Sequence, residues 1–517
     1  MSIRPATLDH IVHDVARQNG TKAAIIFADE PISYAELDAR IERAANGLAA
    51  RGIGHGDRVA LLLPNVPDFI VAYYAVMRCG AVVVPVNVLY KNEEIAYILR
   101  DSEAKVLIVH SQFATYGVPA ATSVPSVAQV VVVGGETPTG ATSWDALTDG
   151  RAPKRRPVTV SPDDLATICY TSGTTGQSKG AMLTHHNFIA NCEQMDKMPR
   201  GSVFTDDTLL LMLPLFHIYA MNCGMNAFLR KGATIVLVPR FEPVPVLEQM
   251  QKHRVTYFHA APPIYVAWAN TPTLGEYDLS SVRAAFSGAA SLPVQILEHF
   301  NAKTGIEISE GYGLTETAPV THTNFAGMLT KPGTVGPAIP GVEVRLVDEN
   351  DHDVPPGAEG ELICRGENVT QGYWRKPEAS AEALRGGWFH TGDIATVDED
   401  GYYAIVDRKK DMINAGGFKV WPREVEEVFF RHPAVREAAV VGIPDDYAGE
   451  RPMAYIVLKD GQAATAEELV AYCKEHLATF KVPRLIEFRD DLPKLPTGKV
   501  LRRVLRDEAR QLVASRA

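Results

Sequence analysis

Wholly apolar runs that alternate with helix-patterned segments constrain this chain most. Residues 59–63 are Val, Ala and three Leu ended by Pro64. Residues 68–78 then read as a helix stopped by Gly80, and residues 81–86 and 106–109 are again apolar, with a helix around 95–99 between them. Strands apolar on both sides need cover on both faces, which is the pattern of a parallel sheet wrapped by helices. The pattern returns after residue 200, with strands at 209–213, 233–238 and 256–260 and helices at 220–229, 246–253 and 293–303. Residues up to about 51 read as helical, from the spacing of Leu37, Ile41 and Leu48.

From Val342 the texture changes to short β-type runs at 343–347, 360–365 and 402–406, divided by Gly and Pro. Beyond Asp411 comes a compact α+β tail, with helices at 422–431 and 466–476 and strands at 435–442 and 453–458. The expected fold class is α/β: a large N-terminal domain (1–409) of two doubly wound α/β subdomains plus a small β unit, then a small α+β C-terminal domain (410–517). The charged run Asp407-Arg408-Lys409-Lys410-Asp411 between them is either a surface turn or a hinge. A chain of 517 residues is too long for one core. Lys and Arg number 51 against 62 Asp and Glu, a net −11 that argues against non-specific nucleic-acid binding. Six widely spaced cysteines without a CxxC pair point to buried, reduced thiols in a cytoplasmic protein. The longest apolar stretches fall far short of the ~20 residues that span a bilayer.

The densest chemistry lies between the apolar run 165–170 and a helix capped by Thr184. There Thr171, Ser172, Gly173, Thr174, Thr175 and Gly176 precede Gln177, Ser178, Lys179 and Gly180. Glycines let backbone approach a bulky anion, hydroxyls and free N–H groups donate to phosphate oxygens, and lysine adds a mobile charge. The reading is a polyphosphate cradle at a strand-to-helix junction. A P-loop needs Gly before the lysine and Ser or Thr after it, but Ser178 and Gly180 stand there. Further on, Glu310, Gly311, Tyr312, Gly313, Leu314, Thr315 and Glu316 set an aromatic ring between glycines, where it can lie against a planar base. Glu316 offers hard oxygen to a divalent cation. Taken alone, this heptad could equally be a tight turn.

The cradle resembles the phosphate loop of the adenylate-forming superfamily of acyl- and aryl-CoA synthetases, luciferases and peptide-synthetase adenylation domains. Ser178 departs from the proline usual there. The heptad follows in that family's order, as do three further stretches. Asp393, after Trp388-Phe389-His390-Thr391-Gly392, resembles a ribose-binding aspartate. Arg408 resembles a ribose- and phosphate-facing arginine, and Lys499, closing Pro493-Lys494-Leu495-Pro496-Thr497-Gly498, resembles the catalytic lysine. The closest likeness is to fatty-acyl-CoA synthetases.

The resemblance implies three substrates: a carboxylic acid, ATP and CoA. It also implies Mg2+ held by Glu316 and Thr174, and a monomer or homodimer without nucleic-acid or membrane-spanning parts. It assigns Thr171, Ser172, Gly173, Thr174, Thr175, Gly176 and Lys179 to the phosphates. Gly288, Ala289, Ala290, Glu310, Gly311, Tyr312, Gly313, Thr315, Asp393 and Arg408 fall to the nucleotide. Gly416 and Gly417 resemble a pantetheine tunnel, with a plain hairpin turn as the alternative. His217 resembles an acyl gate counted with Lys499 and Glu316 as catalytic, with a core histidine as the alternative. A mobile C-terminal domain pivoting at Lys410 would present first Lys499, then the two glycines.

The implied reaction is that of an ATP-dependent acyl-CoA ligase. Acid and ATP give acyl-AMP and pyrophosphate, then CoA gives acyl-CoA and AMP. The windows implied to line the acyl pocket, residues 217–228, 259–265 and 287–290, contain no Lys, Arg, Asp or Glu. This favours a medium- to long-chain fatty acid and disfavours malonate. Asn222 and Asn226 keep an aryl acid of hydroxycinnamate or benzoate type open, unless they face away from the pocket. A stand-alone adenylation enzyme loading a carrier protein, a nucleotide sensor and a luciferase-type side activity are the other readings.

Overall fold

The computed structural model describes residues 7–171, 178–445, 449–495 and 498–516, so Ser172, Gly173, Thr174, Thr175 and Gly176 lie outside the described residues. Among the described residues the strands gather into four sheets. A seven-stranded sheet runs Thr142–Ser143, Gln129–Val133, Val106–His110, Arg58–Leu62, Val82–Pro85, Leu165–Thr171 and Lys179–Thr184. It is parallel except at its last pair. An eight-stranded sheet is centred on Ile308–Gly313, Ala284–Ser287, Tyr257–Ala260, Thr208–Leu211 and Thr234–Leu237. Four antiparallel strands between 342 and 408 form the small β unit. A last sheet built from Ile413–Ala415, Phe418–Val420, Val435–Asp445, Gly449–Leu458 and Leu485–Phe488 lies in the tail. The α/β class and the small β unit are as expected.

Local chemistry explains the helix starts. Pro67, Pro243 and Pro262 open their helices at or next to the first position, where a fixed φ helps and a missing N–H costs nothing. Thr184 caps His185–Asp196 by a reciprocal box, its side chain accepting from the Asn187 N–H while the Asn187 side chain accepts from the Thr184 N–H. All six cysteines are free and buried.

Three local readings need correction. The first 51 residues are not all helix: the hairpin Ala23–Phe27/Glu30–Ser33 separates Ile11–Asn19 from Tyr34–Ala50. Its first strand pairs in parallel with Thr234–Leu237, some two hundred residues on, a partner no local period can announce. The cradle does not run straight into a helix, because Lys179–Thr184 first returns antiparallel to Leu165–Thr171. The helix expected at 220–229 begins as a π-helix, Tyr219–Asn226. Its wide turn places Asn222 and Asn226 in the core, fully buried. Asn222 donates to the carbonyls of Ala318 (2.6 Å) and Phe188 (3.2 Å), while Asn226 bonds the hydroxyls of Tyr73 and Tyr74. Neither borders the cavity described below, so they offer nothing to a phenolic hydroxyl.

Candidate active site

Parallel strands of both large sheets deliver their carboxyl ends to one region, the usual place for ligands in open α/β sheets. Thr171 ends its strand, Gly288 follows Ala284–Ser287, and Tyr312 and Gly313 finish Ile308–Gly313. A cavity of about 570 Å³ opens there, bordered at one end by Thr171, Lys179, Glu316, Arg408 and Lys499. Its other end is walled by Cys223, Ala227, Tyr257, His259 and Phe286. A second cavity of about 870 Å³ adjoins it, reaching Ala290, Glu310 and Asp393, and shares Lys499, Arg408, Ala289 and the Gly311-Tyr312-Gly313 turn.

The polar end is a connected set. The Tyr312 hydroxyl donates to Asp393 Oδ2 at 2.6 Å, and Arg408 Nε meets Asp393 Oδ1 at 3.2 Å. Asp393 and Arg408 face each other in register on adjacent antiparallel strands, which holds the pair in place. Glu316, 8% exposed on the turn Thr315–Thr317, accepts from the Tyr373 hydroxyl at 2.9 Å. Burial pushes its carboxyl above the usual range, opposed by that hydrogen bond and by Arg408. The Lys179 ammonium lies 5.2 Å from the Tyr373 ring centre. Glu310 accepts from the N–H groups of Leu292 (3.1 Å) and Gly333 (3.3 Å), and burial lifts it to about 7. Gly313 has no room for a side chain, since a Cβ there would meet the Pro319 carbonyl at 1.8 Å.

Lys499 comes from the far end of the chain. The Leu495 N–H donates to the Lys499 carbonyl at 2.8 Å, and Gly498 sits so close to Pro263 that a Cβ would meet that ring at 2.2 Å. Burial and then the neighbouring Arg408 charge lower Lys499 to about 7. His217 borders the same cavity. Its Nδ1 accepts from the Tyr219 N–H at 3.3 Å, and burial followed by repulsion from Lys499 lowers it to about 4. It is neither a surface group nor a sealed core histidine.

The structure thus brings together Thr171, Lys179, His217, Gly288, Ala289, Glu316, Asp393, Arg408 and Lys499 with the Glu310–Thr315 stretch. It does not bring in Gly416 and Gly417, which form the exposed turn of the Ile413–Ala415/Phe418–Val420 hairpin at φ 65° and 88°. Two residues were missed in sequence. Tyr373 carries both the Glu316 hydrogen bond and the Lys179 contact, signalled only by Gly372-Tyr373-Trp374. Asp196 borders the cavity from outside the expected windows, paired with Arg230 and with Lys231 at 3.0 Å.

Two α/β layers, a tyrosine–aspartate–arginine chain and a lysine brought from the tail thus meet at one candidate site. A family model for the AMP-binding enzyme matches residues 12–374, and one for the AMP-binding enzyme C-terminal domain matches residues 424–499. The chain belongs to the AMP-binding enzyme family and is an AMP-forming acyl-CoA ligase. It is 36% identical to a long-chain-fatty-acid–CoA ligase of Bacillus subtilis, over 97% of this chain and 94% of that one. It is 39% identical to a feruloyl-CoA synthase of an Amycolatopsis species, over 94% of this chain and 96% of that one. Among solved structures it resembles the anthranilate CoA ligase AuaEII bound to anthranoyl-AMP, with a TM-score of 0.92, 30% identity and 98% of each chain covered. No helix among the described residues is long and apolar enough to cross a membrane.

Proposed function

We propose that the acid activated here carries no charge but its own carboxylate, with a medium- to long-chain fatty acid as the first candidate. The observation that carries this is the cavity wall. Past His217 the acid would meet Tyr219, Cys223, Ala227, Tyr257 and Phe286, and the charged Asp196 is already neutralised by Arg230 and Lys231. A second carboxylate would be buried without a cation, which is strongly unfavourable, whereas each buried CH₂ contributes ~0.8 kcal/mol. The ring-rich wall also supports an aryl acid, as does the likeness to a feruloyl-CoA synthase. An acid panel read by AMP release with CoA tests the class. Neutral-bodied acids should lead and malonate should be inert; malonate as the best acid would overturn it.

In this reading the acid's carboxylate attacks the α-phosphate of ATP and pyrophosphate leaves. Lys499, Arg408 and Lys179 supply the positive charge that the reacting phosphates need, preorganised in a site screened from water. The Tyr312–Asp393–Arg408 chain orients the ribose, and the buried His217 stays neutral beside the acyl carbon. The donor set at Glu316 fits Mg2+: one buried carboxylate, short of positive partners, beside the phosphate end. Among the described residues no cluster of three His, Cys, Asp or Glu could hold a metal by itself, and Mg2+ is commonly bound through one or two carboxylates plus substrate phosphates. When bound, the ion would supply counter-charge to the phosphates. CoA thiolate then attacks the acyl carbon and expels AMP, which requires Lys499 to make way. A pivot at Lys410, dividing 1–409 from 410–517, and a role for Gly416 and Gly417 in that second orientation are part of the proposal.

A further inference from the structure

The far wall of the cavity holds one polar group that the fold leaves unmatched. His259, on the strand Tyr257–Ala260, is 4% exposed. Its imidazole is ringed by Tyr219, Tyr257 and Phe286 at centroid separations of 5.2, 5.3 and 5.3 Å. His259 and these three rings all border the cavity. Among the described residues, its Nδ1 is buried with no hydrogen-bond partner.

Two other histidines carry a buried, unpartnered nitrogen, and each differs. His322 borders neither cavity. His390 Nδ1 has the Glu361 and Asp351 carboxylates at 3.7 and 3.9 Å. His259 has only rings around it and the cavity beside it. A neutral imidazole carries one donor and one acceptor nitrogen, and a buried polar atom without a partner is unfavourable. A half-turn about its terminal torsion, which is broad and two-fold, exchanges the ring edges without moving backbone. Burial keeps the ring neutral down to about 3, so it is no counter-ion for a second carboxylate. Its natural partner is an uncharged hydrogen-bonding group.

We propose that His259 is a specificity residue that hydrogen-bonds a hydroxyl carried on the apolar body of the acid, so that a hydroxylated acid is preferred over its unsubstituted parent. This rests on reading the cavity as the acyl pocket. It narrows the substrate to a neutral-bodied acid with one uncharged polar substituent at the depth of His259.

Matched pairs test it: cinnamate against 4-hydroxycinnamate, 3-phenylpropionate against its ring-hydroxylated form, and octanoate against hydroxyoctanoates. kcat/KM is measured for the parent protein, His259→Phe and His259→Gln, with melting temperatures checking that each variant folds. The parent protein should favour the hydroxylated member of at least one pair by roughly tenfold. His259→Phe should remove that preference by slowing the hydroxylated acid while the unsubstituted one is retained. His259→Gln, which keeps a donor and an acceptor, should restore part of it. A parent protein that activates the unsubstituted acids but shows no hydroxyl preference overturns the proposal. So does a preference that persists in His259→Phe, or loss of both members of each pair alike in both variants. Failure of the acyl-pocket reading looks different, since His259→Phe would then leave kcat/KM unchanged for every acid.

Discussion

At the scale of single residues, the group with most to lose is Lys499. Lys499→Ala should slow acyl-adenylate formation by roughly 10²–10³ while sparing thioester formation from supplied acyl-AMP, because only the first step builds charge at the α-phosphate. Pyrophosphate exchange and single-turnover thioesterification read the two halves separately, and equal loss in both would sink this role. A second expectation follows from its lowered pKa, about 7 in the free protein. At pH 8 the side chain is mostly neutral until phosphate arrives, and the anion then favours the charged form and raises the pKa. ATP binding at pH 8 should therefore take up a proton. Calorimetry in two buffers of different ionisation enthalpy would show it, and Lys499→Met should abolish the difference. Adenylation should correspondingly fall as pH rises through the nucleotide-bound pKa of Lys499. The lysine was legible in sequence only through resemblance. Its depressed pKa was not, because it depends on Arg408 and on burial that arise when distant segments meet.

At the scale of elements, the turn joining Ile308–Gly313 to Val320–Thr323 is the most tightly built part of the site. Gly313→Ala would drive a Cβ onto the Pro319 carbonyl and should destabilise the protein by about 1–3 kcal/mol. It should also weaken nucleotide binding, since Tyr312 and Glu316 flank the same turn. Thermal melts with and without ATP measure both, and an unshifted melting temperature would mean that the turn relaxes freely. Strands of unbroken apolar residues could be read from local pattern within a residue or two, but some proline-opened helices could not. The helix expected at 246–253 opens at Pro243, and Pro262–Ala269 had no counterpart in the sequence reading. The π-helix Tyr219–Asn226 could not be read locally either. Its period differs from an α-helix by less than residue types reveal, and Asn222 and Asn226 earn their place through partners at Phe188, Ala318, Tyr73 and Tyr74. The hairpin carrying Gly416 and Gly417 was legible as a turn, and its positive φ angles explain the glycines whatever else they do.

At the scale of the whole molecule, Asp407 ties the tail to the large unit across Lys410. Its Oδ2 accepts from the Arg423 N–H at 2.9 Å, and its Oδ1 lies 3.5 Å from Arg502 Nη1, three residues beyond Lys499. Arg502 is itself bound to Glu426 and Asp411. Asp407→Asn keeps the shape but loses the charge, so it should loosen this orientation and slow adenylation several-fold more than thioesterification. Equal slowing of both half-reactions would show that the contact serves stability alone. By itself the sequence determined the alternating α/β class and the order of its glycine-bearing motifs along the chain, while the kind of reaction was legible only through resemblance to a known family. Apolar periodicity and short glycine-bearing motifs are local properties that survive without knowledge of neighbours. Only the tertiary structure decided that Tyr373 supports Glu316, that Asp196 is neutralised at the cavity wall, and that His259 is left without a partner. The first two depend on which side chains meet across 57 and 34 residues of chain, the third on which atom is left unmet once the others have paired.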